Sequence, residues 1–122
     1  MTTYHKIIPA FDDSLKVGFE IPQKNGDPIR FEVPRMDYLP RKVGEAYAAW
    51  IDEFYKDNEM LPVEALQVDW FMDNIGLPKS IANKVKGLTN GEKQQIFKVW
   101  NDESSITVGE SEASAPSSET NN

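Results

Sequence analysis

Carboxylates are the commonest side chains in this sequence that could carry out acid–base chemistry. Asp52-Glu53, together with Asp69 or Asp73, could form a pair of carboxylates that donates and accepts protons. These residues lie in segments whose apolar residues recur at helical spacing, and carboxylates in such segments usually form the solvated face of a helix. The pattern therefore favours a solvated surface over a catalytic pair.

Nucleophiles, bases and metal ligands are scarce. The chain has no cysteine, and its one histidine, His5, has no second histidine with which to bind zinc or to activate a serine. Only Ser14 and Ser80 lie away from the C-terminal region, and the seven glycines are scattered rather than gathered in a phosphate-binding loop. We therefore expect no catalytic site, no metal and no cofactor.

Length and charge narrow the class further. The chain of 122 residues has a net charge of −7, which disfavours nonspecific binding to nucleic acid. No apolar run approaches the ~18 residues that span a bilayer, and the first residues lack the apolar core of a signal peptide. We expect a soluble protein that binds neither nucleic acid nor membrane.

The composition divides the chain into an N-terminal arm (1–14), an α-rich domain (15–108) and a disordered tail (109–122). The tail has no aromatic or branched aliphatic residue, so it buries too little apolar surface to offset the entropy of ordering. The predicted fold is mainly α, with a two-stranded antiparallel ribbon packed on a bundle of about four short helices. Within the domain we expect a β-hairpin over 15–34 and helices over about 40–57, 62–75, 78–87 and 90–102.

The hairpin is predicted from alternation. Asn25-Gly26, a pair typical of hairpin turns, separates two segments in which apolar and polar residues alternate. Pro22 and Pro28 limit the ladder near the turn, and Pro34 ends the second strand. The apolar positions are Val17, Phe19 and Ile21 in the first segment and Ile29, Phe31 and Val33 in the second.

Apolar residues at spacings of three and four predict the helices and their inward faces. We expect Trp50 and Trp100 in the core, and a capping box formed by Thr89 and Glu92 at the start of the last helix. The inward faces, helix by helix, are Val43, Tyr47, Trp50, Ile51, Phe54 and Tyr55; Val63, Leu66, Trp70, Phe71 and Ile75; Ile81 and Val85; and Ile96, Val99 and Trp100.

Two features suggest surfaces for partners. Trp70 and Phe71 are neighbours on a helix and point about 100° apart, so one of them could face a partner. Charge is also divided, since eight acidic residues and one lysine lie between Glu45 and Asp73, whereas five lysines and one acidic residue lie between Lys79 and Lys98. These segments could neutralise each other within one molecule, or meet head to tail in a weak homo-oligomer. In the second case the candidate partner-binding lysines are Lys84, Lys86 and Lys93.

The order of these elements resembles that of a known family. A β-hairpin is followed by "YLP" and an aromatic-rich helix, and a late helix ends "IFKVWNDESSITVGESEAS". The late helix with Trp100, then Ser104 or Ser105, then the Gly109-Glu110-Ser111 run and a polar end carry most of the likeness. The chain resembles, over about 90 residues, the tail assembly chaperones of long-tailed bacteriophages, particularly those that infect actinobacteria.

The resemblance implies a specific biology. Proteins of this family are made in two forms from one start site, the longer by programmed ribosomal frameshifting near the end of the shorter reading frame. Both forms bind the long, apolar, helical tape measure protein in the host cytoplasm and help to recruit tail tube subunits around it. They have no catalytic site and are absent from the mature virion. A disordered tail would then be a junction where another domain can be appended without disturbing the core.

Two other functions stay open at this point. A permanent tail or connector subunit would be found in purified particles, whereas a chaperone would not. An acidic decoy would bind a host DNA-binding protein by imitating phosphate charge. The acidic segment from Glu45 to Asp73 favours the decoy, and the lysines after it weaken that interpretation.

The composition of the tail leads to a direct test. Removal of residues from Gly109 onward is expected to leave the melting temperature unchanged within error, because these residues bury no apolar surface. Circular dichroism of the full-length and shortened chains measures this. A fall of many degrees would show that the tail packs on the domain.

Overall fold

The computed structural model describes residues 2–105. In this part of the chain a hairpin of two strands precedes four helices, so the predicted fold class is confirmed. The predicted disordered tail, 109–122, lies outside the described residues. The elements are β1 (Lys16–Ile21), β2 (Ile29–Pro34), α1 (Arg41–Asn58), α2 (Glu64–Asn74), α3 (Lys79–Lys86) and α4 (Asn90–Ser104), with short 3-10 turns at Asp13–Leu15 and Met36–Tyr38.

The hairpin has the register that the alternation predicts. Val17 lies opposite Val33, Phe19 opposite Phe31 and Ile21 opposite Ile29 in an antiparallel ladder. The rings of Phe19 and Phe31 stack with their centroids 5.3 Å apart, a cross-strand contact that stabilises the pairing. The ladder ends where the prolines require it, and Gly26 in the connecting loop has a φ of 100°, which residues with a Cβ rarely adopt. One apolar face results.

The helix ends follow local chemistry. Gly76, with a φ of 84°, ends α2 in the left-handed conformation that glycine adopts most readily. The predicted capping box is present at the start of α4, where the Thr89 hydroxyl accepts from the Glu92 amide at 3.2 Å. In return, the amide and then the hydroxyl of Thr89 donate to the Glu92 carboxylate and hold the pKa of that group below its ordinary value. Gly76 thus fixes the end of α2, and the capping box fixes the start of α4.

The core lies between the apolar face of the hairpin and three helices, α2, α3 and α4. Trp100 is fully buried there, packs against Phe71 with ring centroids 4.9 Å apart, and donates its indole N–H to the Pro34 carbonyl oxygen at 2.8 Å. The polar atom of the ring is thus satisfied, as a buried indole requires. The cluster consists of Val17, Ile29, Phe31, Val33, Val68, Phe71, Met72, Ala82, Val85, Ile96 and Trp100.

The first helix does not enter this core, which corrects one sequence prediction. None of the 18 residues of α1 is buried, and Trp50 is only partly covered. The prediction of a core position for Trp50 is therefore wrong, whereas that for Trp100 is confirmed. Helical periodicity identified the apolar stripe of α1 correctly. The core is nevertheless complete without α1, because the hairpin, α2, α3 and α4 enclose it.

Some predicted inward positions on the other helices are also wrong. Val63, Leu66 and Val99 are 58%, 42% and 43% exposed. The buried face of α2 is instead formed by Ala65, Gln67, Val68, Phe71 and Met72. This face is rotated from the predicted one because α2 packs on α3 and α4 together rather than on one neighbour. Val63, Leu66 and Val99 are therefore in contact with solvent rather than packed in the core.

Replacement of the core tryptophan provides a test of this packing. Trp100→Ala is expected to lower the free energy of unfolding by roughly 3–5 kcal/mol, because it removes a large, fully buried side chain. Trp100→Phe retains most of the volume but leaves the Pro34 carbonyl without its donor, at a cost of about 1–3 kcal/mol. Urea titrations followed by circular dichroism give both values.

The matched control for this experiment is Trp50→Ala. It is expected to destabilise less than Trp100→Ala, since Trp50 lies outside the core cluster. An equal loss for the two variants would contradict the placement of α1 outside the core.

Candidate functional site

Aromatic rings attach α1 to the domain. The ring of Tyr47 lies 4.6 Å from that of Phe71, and the ring of Trp50 stacks on that of Trp70 at 5.7 Å. Phe71 in turn contacts Trp100 in the core, so a continuous series of rings joins the surface helix to the interior. These contacts use one part of the apolar stripe of α1. Of the rest of the stripe, Tyr55 is exposed and Val43, Ile51 and Phe54 are half-buried.

A buried glutamine fixes the loop between α1 and α2 against α1. Gln67 of α2 accepts a short hydrogen bond from the Tyr47 hydroxyl and donates through Nε2 to the Pro62 carbonyl oxygen at 2.9 Å. Burial raises the pKa of Tyr47 above its ordinary value. One side chain thus holds the helix and the loop together.

The resulting surface is a groove with an apolar floor, here called the α1 groove. Its volume is about 550 Å³. Tyr55 and Leu61 on its walls are 54% and 59% exposed, and Met60 and Val63, beside Leu61 in the loop, are each 58% exposed. The groove is lined by Tyr47, Ala48, Ile51, Asp52, Tyr55, Leu61 and Gln67.

Acidic residues are frequent along α1 and the loop after it, but Asp52 is the one acid in the lining of the α1 groove. Six acidic residues and one lysine lie between Glu45 and Glu64. Two of the acids are neutralised on the surface of α1, Glu45 by Arg41 at 3.0 Å and Asp52 by Lys56 at 3.3 Å. The other four form no ion pair with any residue in the 2–105 range: Glu53, Asp57, Glu59 and Glu64. The groove itself is therefore mainly apolar.

Two of the predicted partner-contacting residues are not on the surface. Phe71 is fully buried in the core, so the adjacent Trp70 is the more accessible of the pair, although it too is partly covered by Trp50 and Tyr47. Lys93 is 6% exposed, and its Nζ lies 2.8 Å from Asp69 Oδ1. The prediction that Phe71 and Lys93 contact a partner is therefore wrong, because each is occupied within the domain.

One lysine of α3 and one of α4 neutralise acidic residues within the same molecule. Lys86 pairs with Asp73 at 2.8 Å, as Lys93 does with Asp69, so two acids of α2 are neutralised by the basic segment that follows. Lys84 is exposed and forms no ion pair within the described range. Head-to-tail contact through all three predicted lysines thus loses its basis.

The carboxylates that could have formed a catalytic pair are engaged separately. Asp52, Asp69 and Asp73 each pair with a different lysine. Over residues 2–105, no three His, Asp or Glu side chains come together in a group that could hold a metal ion. No helix in the same range is both long and apolar enough to cross a bilayer.

Sequence reasoning missed the α1 groove, although one signal was present. Met60-Leu61-Pro62-Val63 lies between two helices, and a run of large apolar residues in a connecting loop is unusual unless it packs on something or binds something. Only Pro62 of this run is buried. This exposed apolar run was the signal in the sequence that could have indicated the groove.

Comparisons with known proteins add no relative. No protein-family model matches the chain, no curated protein matches its sequence, and no solved structure matches its fold. The function therefore has to be argued from the α1 groove and from the residues that form it.

The ion pair that removes Lys93 from the surface can be tested by mutation. Lys93→Met is expected to lower the free energy of unfolding by about 1–3 kcal/mol, less than for a fully buried pair because Asp69 is partly exposed to solvent. The double variant Lys93→Met/Asp69→Asn is expected to lose less than the sum of the single variants, since the uncompensated charge is gone.

The control is Lys98→Met. It removes the ion pair between Lys98 and Asp102, whose N–O distance of 2.9 Å is similar but whose two side chains are exposed. We expect a change within about 0.5 kcal/mol there, because exposed i,i+4 pairs contribute little. Urea titration measures the original protein and the four variants, Asp69→Asn alone among them. Equal effects at Lys93 and Lys98 would show that Lys93 is solvated and available to a partner.

Proposed function

We propose that this protein is a noncatalytic assembly chaperone for a long bacteriophage tail. It binds the tape measure protein in the host cytoplasm, helps to recruit tail tube subunits and leaves before the virion matures. The single observation that supports this most is the α1 groove, an open apolar surface beside a helix with no buried residue. A chaperone for a long apolar client needs such a surface, and the order of the elements in the sequence resembles that of the family.

The α1 groove suits transient binding of one segment of a helical client. Its lining offers Ile51, Tyr55 and Leu61 to a client helix, whose apolar side chains recur at spacings of three and four residues. One groove covers only a short part of a long client. Many copies along the client would shield it together, and each copy would be easily released when tube subunits replace it.

The acidic residues give α1 a second property. Contiguous exposed apolar groups promote aggregation, and charged side chains elsewhere on the same helix keep the chaperone itself dispersed. Glu53 and Asp57 each lie two positions from Tyr55, which at about 100° per residue places them on the other side of α1 from the groove. The helix thus has an apolar face for the client and a charged face for solvent.

The decoy alternative is less well supported. Imitation of nucleic-acid charge requires a continuous acidic face. Asp69 and Asp73 are paired with lysines of the following segment, and Asp52 and Glu45 are paired with Lys56 and Arg41 on α1. A permanent tail subunit would use the same apolar surface, and analysis of purified particles separates that function from a chaperone.

Coexpression with a tape measure fragment tests the proposal. The unmodified protein is expected to keep a helical, apolar tape measure fragment in the soluble fraction. The double variant Tyr55→Ser/Leu61→Ser is expected to lose most of this effect, because it removes the two exposed apolar walls of the α1 groove. The soluble fraction of the client, measured after centrifugation, gives the result.

Two controls make the experiment specific. Val99→Ser removes an exposed apolar side chain of α4 outside the α1 groove and is expected to retain full activity. Unfolding of the Tyr55→Ser/Leu61→Ser variant is expected to resemble that of the original protein, since both side chains are largely in water. If the client stays insoluble with the unmodified protein, or soluble with all variants alike, the proposed function is wrong.

A further inference from the structure

The outer backbone groups of β1 are unpaired. The Leu15 carbonyl oxygen accepts from the Arg35 amide at 3.0 Å, and the ladder keeps the same register, so Val17 and every second residue after it bond to β2. The N–H and C=O groups of Gly18 and Glu20 therefore point away from β2. They form no hydrogen bond with any other group in the described part of the chain.

The outer edge of β2 is less available than that of β1. Pro34 has no N–H, and its carbonyl oxygen accepts from the Trp100 indole at 2.8 Å. α3 packs against the same strand. On β1, the one outer group with a partner among the described residues is the Lys16 amide, which donates to the Asp13 carbonyl oxygen. The free edge of the sheet is therefore on β1.

Proteins usually protect a free edge, and β1 lacks most of that protection. No proline or bulge interrupts the strand. Gly18 at its centre has no side chain, and a Cβ placed there would meet no atom within 4 Å, so the backbone is open to an approaching strand. Lys16 is the remaining protective feature, and a lysine opposes pairing only where no acidic residue lies opposite it.

A second copy of β1 supplies that acidic residue. In a two-fold antiparallel pairing, outer residues of one strand lie opposite outer residues of the other. When Gly18 lies opposite Gly18 of the other copy, Lys16 lies opposite Glu20 and Glu20 opposite Lys16. A shift of two residues in either direction places both charged residues opposite uncharged ones. The strand is therefore complementary to itself in one register.

We propose that two copies of the protein pair through β1 and form a continuous four-stranded sheet. The two Gly18 residues exchange N–H···O bonds, and the Glu20 amide of each copy donates to the Lys16 carbonyl oxygen of the other. Within its own hairpin Glu20 binds Arg30 through Oε1, at 2.6 Å, which leaves Oε2 for the Lys16 ammonium of the other copy. Charges then alternate in sign across three strands, in the order Arg30, Glu20, Lys16.

The helices leave room for the second copy. α4 crosses the apolar face of the hairpin from Pro22, near the turn, to Pro34 at the other end, so it lies beside only one half of β1. Two-fold pairing places the α4 of the other copy beside the opposite half. A groove of about 440 Å³ opens between β1 and α4, lined in part by Phe19 and by Val99, which is 43% exposed. Val17 of the other copy lies opposite Phe19 beside this groove, and the pairing covers apolar surface.

The inference does not rest on the proposed function. A contact made mainly by six-residue strands is small beside the roughly 1,200–2,000 Å² of a stable interface, so we expect a weak dimer. Where both proposals hold, copies gathered along one client supply the high local concentration that a weak dimer needs. Each dimer then carries two α1 grooves, and the two reinforce each other on one client.

Proline at the centre of β1 tests the use of this edge. Gly18→Pro removes the outward amide at the two-fold centre and no hydrogen bond of the hairpin, and Pro34 shows that this hairpin accepts proline at an outer position. The matched control is Glu32→Pro, opposite Gly18 at an outer position of β2. Sedimentation equilibrium of the full-length proteins is expected to show a dissociation constant raised about tenfold or more by Gly18→Pro, and unchanged within about twofold by Glu32→Pro. Urea titration checks that both variants fold.

Charge reversal tests the register. Lys16→Glu places two acidic residues opposite each other across the new contact. Glu20→Lys/Arg30→Glu places two lysines opposite each other, while its own hairpin keeps a pair of opposite charges. Each variant alone is expected to associate about tenfold more weakly than the original protein. An equimolar mixture has opposite charges at both positions and is expected to associate like the original protein. Lys42→Glu, an equal charge change at an exposed position of α1, is the control and is expected to have no effect.

Three results would overturn the proposal. The first is a full-length protein that stays monomeric at about 1 mM. The second is equal association of the folded Gly18→Pro and Glu32→Pro variants, which would place any contact elsewhere on the molecule. The third is a mixture of the two charge variants that associates no better than either variant alone. All three leave the client binding of the α1 groove untouched, so failure of this pairing is distinct from failure of the proposed function.

Discussion

The structure depends on one junction, where the end of the hairpin meets the last turn of α4. The Trp100 indole donates to the Pro34 carbonyl oxygen, the Met36 amide donates to the Ser104 hydroxyl at 2.8 Å, and Arg35 Nη2 donates to the Ser104 carbonyl oxygen at 2.7 Å. Arg35 is 4% exposed, so these bonds are shielded from water. A two-stranded ribbon is only marginally stable alone. This junction joins residues more than 60 positions apart in sequence and holds the apolar face of the ribbon on the helices.

The position of α1 follows from that junction. Because β2 is held by α4, the chain leaves Arg35 at a fixed place and turns through Met36–Tyr38 into α1 outside a core that is already complete. Tyr47 and Gln67 then hold the helix and the following loop side by side. The α1 groove is formed by the part of the apolar stripe that remains after Tyr47 and Trp50 have attached α1 to α2.

Local features of the fold could be predicted from the sequence, and long-range ones could not. Alternation about Asn25-Gly26 predicted the strand register, and Thr89 with Glu92 predicted the cap of α4. Helical periodicity identifies a stripe but not the partner that covers it, so Trp50 and Trp100 appeared equivalent. Burial of Lys93 beside Asp69 likewise depends on how α2 and α4 cross, which no local pattern encodes. The groove was missed for the same reason, since its walls come from α1 and from the loop after it.

α1 is attached by a few rings and one glutamine and has no buried residue of its own. Elements with few buried contacts open at free energies below that of global unfolding. We therefore expect the amides of α1 to exchange with solvent through an opening in which the hairpin and α4 stay folded. The groove exists only while α1 is closed. Its presence and the stability of the core are consequently separate quantities, and evolution can adjust the first at Trp50 without lowering the second.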